Sequence, residues 1–172
     1  MTTSKSYTPP CTITPSMLRL VAEIGEAIGR LSVLAEENAV SLRLRRKNRI
    51  RTVQGSLAIE GNTLSESQIT AILEGRRVLA PPREILEVRN ALAGYEHLAS
   101  WQQESEADLL AAHKMLMDGL LEDAGQYRSN GVGVMAGTEV IHLAPPASRV
   151  PLLMTDLLQW LGATDLHPLV TG

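Results

Sequence analysis

Ser56 and Glu60 stand four residues apart, directly before Gly61 and Asn62. On a helix that spacing puts the hydroxyl and the carboxylate on one face. Gly61 supplies the left-handed backbone that ends a helix, and Asn62 tolerates similar geometry. A carboxylate on such a last turn, beside the turn itself, can reach out of its own element. The same spacing also fits a solvated helix end, so the pattern alone leaves both readings open.

The elements that must hold this segment are written mostly in helical code. Thr14-Pro15 reads as an N-cap with proline at the first helical position, followed by a stripe of Leu18, Val21, Gly25, Ile28, Leu31 and Ala35. Ser41 is placed to open a second helix, which runs through a basic stretch to Glu60. Ser65-Glu66-Ser67-Gln68 has the form of a capping box, and Gly75 closes the short helix after it. Beyond Pro81-Pro82, Ile85, Val88, Leu92, Tyr95 and Leu98 mark a buried helical face. Ser105 caps a further helix carrying Leu109, His113, Leu116 and Leu120, and Ser148 an apolar one that stops at Gly162. Asp165 as N-cap and Pro168 in a first turn announce one more helix; Gly172 follows barely a turn later, so the sequence reads as cut there.

One stretch breaks the rhythm. Val132, Val134, Val140 and Ile141 are β-branched, with Ala136-Gly137-Thr138 offering a turn between them. The expected architecture is therefore mainly α: a helical bundle with one β-hairpin. An isolated hairpin is marginal in water, so it must lean on the helices or await a partner strand.

Composition narrows the function classes. The 172 residues are 44% hydrophobic with a formal charge of −3, which gives no general reason to expect nucleic acid. The basic run Arg43, Arg45, Arg46, Lys47, Arg49 and Arg51 has no aromatic residue interleaved for stacking, and reads as a solvated helix face. Cys11 is the lone cysteine, which excludes an internal disulfide. His97, His113, His142 and His167 lie on different elements without ligand spacing, so no metal site is expected; His113 reads as a core histidine with a local partner. Neither a membrane span nor a signal peptide is legible, and the expected location is cytoplasmic.

Taken in order, several segments resemble the Fic (Fic/Doc) family, whose active members mostly transfer AMP from ATP to protein hydroxyls. Ser56-x-x-x-Glu60-Gly61-Asn62 is similar to that family's inhibitory motif, and Pro82 to Asn90 to the helix that usually follows. Asp108 to Met117 resembles the first helix of the catalytic core. Gly125-Gln126-Tyr127-Arg128, the hairpin, Pro145-Pro146 and Val150 to Leu153 resemble the flap region, and Asp165 to Val170 the opening of the next core helix. The resemblance implies a leader over 1–13, an N-terminal helical region with the inhibitory motif over 14–104, and an incomplete core with its flap over 105–172.

The family signature His-Pro-Phe-x-x-Gly-Asn-Gly-Arg is absent from these residues, and His167-Pro168 is not it. That motif supplies the base, the phosphate cradle and, when present, the Mg²⁺-coordinating acidic residue. The expectation is a self-inhibited protein adenylyltransferase whose 172-residue portion is inactive alone and binds ATP and Mg²⁺ poorly. By resemblance, Ser56, Glu60, Gly61 and Asn62 block the ATP γ-phosphate site, with Glu60 pairing an Arg late in the signature and Ser56 fixing the helix end. Val134, Met135, Val140 and Ile141 of the flap dock an extended protein target. Two other readings stay open: an antitoxin-like module acting on a Fic core in trans, and a decayed gene product. The oligomeric state is not legible.

Overall fold

The computed structural model describes residues 7–35 and 39–171. Part of the expected leader, the residues just before the second helix, and Gly172 lie outside them. The chain is mainly helical, with one hairpin, as the periodicities imply. Helix α1 spans Pro15–Ala35 and α2 spans Ala39–Ile59; α3 (Glu66–Leu73), α4 (Pro82–His97) and α5 (Glu106–Met117) follow. Strands β1 (Gly133–Ala136) and β2 (Glu139–Leu143) precede α6 (Val150–Ala163) and α7 (Pro168–Thr171). No described helix is long and apolar enough to cross a membrane.

The hydrophobic core is small and sits where α2, α3 and α4 meet. Ile50 and Val53 of α2 meet Leu64, Ile69 and Ile72 around α3 and Val88, Ala91 and Leu92 of α4. The capping box starts α3: Gln68 N–H donates to Ser65 Oγ at 3.3 Å, and Ser65 N–H to Gln68 Oε1 at 3.0 Å. The basic run of α2 joins its neighbours at the surface, Arg46 with Glu74 at 2.7 Å, Arg51 with Glu66 at 3.3 Å and Arg49 with Glu96 at 3.8 Å. Solvent screens exposed pairs of this kind, so they add little to stability. The Arg76 guanidinium, with Arg46 adding to it, holds the Glu74 carboxyl below its ordinary range.

Helix α4 also anchors α5. The buried Asn90 side chain donates to the Leu116 and Asp118 carbonyls at 3.1 and 2.8 Å, satisfying the end of α5 from the side. His113 has the local partner expected of it, its Nδ1 accepting the Gly125 N–H at 2.9 Å, but it is half-buried rather than in the core. Gly125 has φ +82° and a Cβ there would lie 2.7 Å from Lys114 Cβ, so only glycine lets this loop close on α5.

Several expected boundaries move. Helix α2 begins at Ala39, two residues ahead of Ser41. Leu98 leaves the buried face because the chain tightens into a 3₁₀ turn at Leu98–Ser100, which rotates it into solvent. Ser148 does not cap α6: it lies within a 3₁₀ turn, Ala147–Arg149, that runs straight into the helix. Gly162 does not stop α6 either, which continues to Ala163 and ends where Thr164 turns extended. His167, not Asp165, caps α7, its Nδ1 accepting the Leu169 N–H at 3.2 Å.

The first helix is the largest departure. Thr14 Oγ1 caps it as expected, accepting Met17 N–H at 3.2 Å. Its apolar stripe, however, is exposed, Leu31 at 65%, and Leu18 and Ile28 likewise. Its charges pair within the helix, Arg19 with Glu23 and Glu26 with Arg30. Periodicity predicted a helix with an apolar face; it could not say what the face would touch.

Candidate functional site

The Ser56–Asn62 segment folds as the sequence implies at its end. Gly61 N–H bonds the Ala58 carbonyl at 3.1 Å and Asn62 N–H the Leu57 carbonyl at 3.0 Å, with Gly61 at φ +90°. This is a Schellman closure, and it makes Glu60 the C-cap residue of α2. Glu60 is exposed, and its carboxylate forms no ion pair among the described residues.

What fixes the turn in space is Asn62 rather than Ser56, whose hydroxyl makes no hydrogen bond among the described residues. The buried Asn62 amide donates to the Glu84 carbonyl at 3.1 Å and to Glu87 Oε2 at 2.9 Å, while its Oδ1 accepts Leu64 N–H at 3.1 Å. Thr63 donates its N–H and its hydroxyl to Glu84 Oε2 at 2.6 and 2.8 Å. Arg83 Nε donates to the other Glu87 oxygen at 3.1 Å. Residues 62–63 are thus held by one face of α4. No local pattern revealed Glu84 and Glu87 as partners, since they lie more than twenty positions along the chain; their i, i+3 spacing on a helix was the one available signal.

Beside the turn, α2, α4 and α5 enclose an open cleft of ≈ 640 Å³. Its walls are chiefly apolar, with Val53, Leu57, Ala91, Tyr95, Trp101, Leu116 and Leu120 among them, and Ser56, Glu60, Arg83 and Glu87 supply its polar side chains. Such a carboxylate can accept a guanidinium through both oxygens. It can also exclude phosphate: two like charges about 4 Å apart repel by about 1 kcal/mol in water and about 4 kcal/mol at an effective dielectric near 20.

The hairpin stands apart from the cleft, none of whose lining residues comes from it. Val134, Met135, Val140 and Ile141 are all exposed, and the register pairs Val134 with His142 and Met135 with Val140. Ile141 is therefore the extra residue of a β-bulge, outside the regular ladder, where the edge twists more strongly. At the base Ala144 N–H bonds the Val132 carbonyl at 3.0 Å. Arg128 forks across both feet, donating to the Asn130 carbonyl at 2.7 Å and to that of Pro145.

Tyr127 fastens the same base to α5, its hydroxyl donating to Glu106 Oε1 at 3.0 Å. Partial burial, then the Glu106 carboxylate, push the Tyr127 phenol above its ordinary range. A pKa raised on folding stabilises fully below the unfolded value of about 10 and is lost as pH climbs through the folded one. The thermal midpoint is therefore expected to fall more steeply above about pH 10 in the wild type than in Tyr127→Phe. Parallel curves would remove the contact from the stability of the flap base.

A helical body, a capped helix ending in Ser-x-x-x-Glu-Gly-Asn and an exposed two-stranded hairpin are the parts that the Fic resemblance implies. A solved structure of a Fic family protein from Desulfovibrio desulfuricans G20 is similar over 96% of this chain and 50% of its own, at TM-score 0.88 and 60% identity. The protein adenylyltransferase Fic of Drosophila erecta is 29% identical over 150 residues, which span 80% of this chain and 29% of that protein. No family model matches. The chain is thus similar to Fic proteins both in sequence and in fold. The chain spans about half the length of the solved relative and less than a third of the Drosophila protein.

Proposed function

We propose that this chain supplies the inhibitory helix and the target-docking flap of a Fic-type protein adenylyltransferase, and that its 172 residues alone transfer no AMP. The observation that carries the reading is Glu60, a carboxylate without an ion pair among the described residues, on a Schellman turn that lines an open cleft. In the proposed enzyme Glu60 pairs an arginine of the catalytic loop and fills the space of the ATP γ-phosphate. The exposed hairpin edge takes an extended segment of the target protein by strand addition.

Transfer of AMP to a hydroxyl needs a base for the departing proton and a cradle of donors for the phosphates. The described residues contain no group of three or more His, Cys, Asp or Glu placed to share a metal ion, and the cleft has no glycine-rich turn leading into a helix. We therefore expect these residues to bind ATP and Mg²⁺ poorly on their own. The purified chain, incubated with Mg²⁺, ATP labelled at the α-phosphate and a mixture of proteins, is expected to leave them unlabelled. ATP-dependent transfer above background would overturn the reading.

The open cleft also favours a second reading, in which the chain acts in trans on a separate Fic core by lending it Glu60. It would then form a stable complex with such a core, weakened by Glu60→Gly. Failure to bind any Fic core would remove this second reading.

A further inference from the structure

We infer that Glu84 and Glu87 of α4 are positioning residues for Glu60, so that the inhibitory turn is governed from a neighbouring helix. The functional meaning of this inference rests on the inhibitory reading of Glu60; its physics rests on the hydrogen bonds alone. With no ion pair of its own among the described residues, the Glu60 carboxylate stands where the backbone of Leu57 to Asn62 puts it. The Schellman bonds fix the shape of that turn but not its place against the body. Its place is set two residues later. Glu87 Oε2 and the Glu84 carbonyl take the two amide hydrogens of Asn62, and Glu84 Oε2 takes both donors of Thr63.

The anchor is also coupled to the cleft. Arg83 occupies the second Glu87 oxygen at 3.1 Å, and Arg83, Glu87 and Glu60 all line the same cavity. An anionic occupant that draws Arg83 away releases one constraint on Glu87 and so slackens its hold on Asn62. Glu60 is then sensitive to what fills the cleft, through residues that never touch it.

The test is amide hydrogen exchange by NMR on the full chain, at Gly61 and Asn62, whose N–H groups make the Schellman bonds, with Val53 and Val88 as core controls. Glu87→Ala is expected to speed exchange at Gly61 and Asn62 by about tenfold while the core amides stay within about twofold. Glu87→Gln, which keeps an oxygen for Asn62, should restore most of the protection, and Glu84→Ala should loosen the turn independently. Unchanged exchange at Gly61 and Asn62 in both alanine variants, or an equal rise at all four amides, would overturn the inference. If the turn loosens as expected but Glu60→Gly never alters AMP transfer in a complete enzyme, the anchoring stands and the inhibitory reading falls.

Discussion

In a complete enzyme of the kind proposed above, Glu60→Gly is expected to label target proteins about 30- to 1,000-fold faster than the wild type. A carboxylate paired with a desolvated guanidinium, and removed, changes a binding equilibrium by roughly 2–4 kcal/mol, which is that range of rates if ATP competes for the same arginine. Glu60 is suited to the role because nothing among the described residues neutralises it and because it lies at the rim of a cleft whose walls are chiefly apolar. The measurement is the initial rate of ATP-dependent labelling at subsaturating nucleotide, for the wild type and Glu60→Gly at equal concentration. Equal rates would take Glu60 out of any inhibitory role and leave a solvated helix end.

Ile69→Ala is expected to cost about 2–5 kcal/mol, a large share of the roughly 5–15 kcal/mol that a domain has in total. Ile69 is 0% exposed at the meeting of α2, α3 and α4, and a core this small has few neighbours able to close the cavity. Ile28→Ala, an equal loss of side chain on α1, should stay within about 0.5 kcal/mol, because Ile28 is exposed. Urea denaturation of both variants decides the matter. Similar losses would mean that the α1 stripe is covered in solution.

Much of this fold was legible because its signals are local. The Ser65 capping box, the Thr14 and Ser105 caps and the glycine after Glu60 each act through neighbours in sequence, and each forms as expected. The hairpin was legible for the same reason, through β-branched residues around a glycine turn. Features that depend on distant partners were not. Ser148 has the right residue type for a cap, but the 3₁₀ turn around it leaves no extended backbone for one. An apolar face on α1 implied burial that the described residues do not provide. In the candidate site, Glu60, Gly61 and Asn62 announced themselves, whereas their anchors on α4 required three dimensions.

Arg128 spans the two feet of the hairpin by binding carbonyls on either side of it, and both strands are exposed along their length. The free energy that opens the flap is therefore distinct from the free energy that unfolds the body. A hairpin stapled at its root and bare at its tip can lose and regain its ladder while the helical core stays folded. If the hairpin takes a target strand as proposed, capture would draw first on that local equilibrium, replacing a fluctuating two-stranded ladder with a three-stranded one.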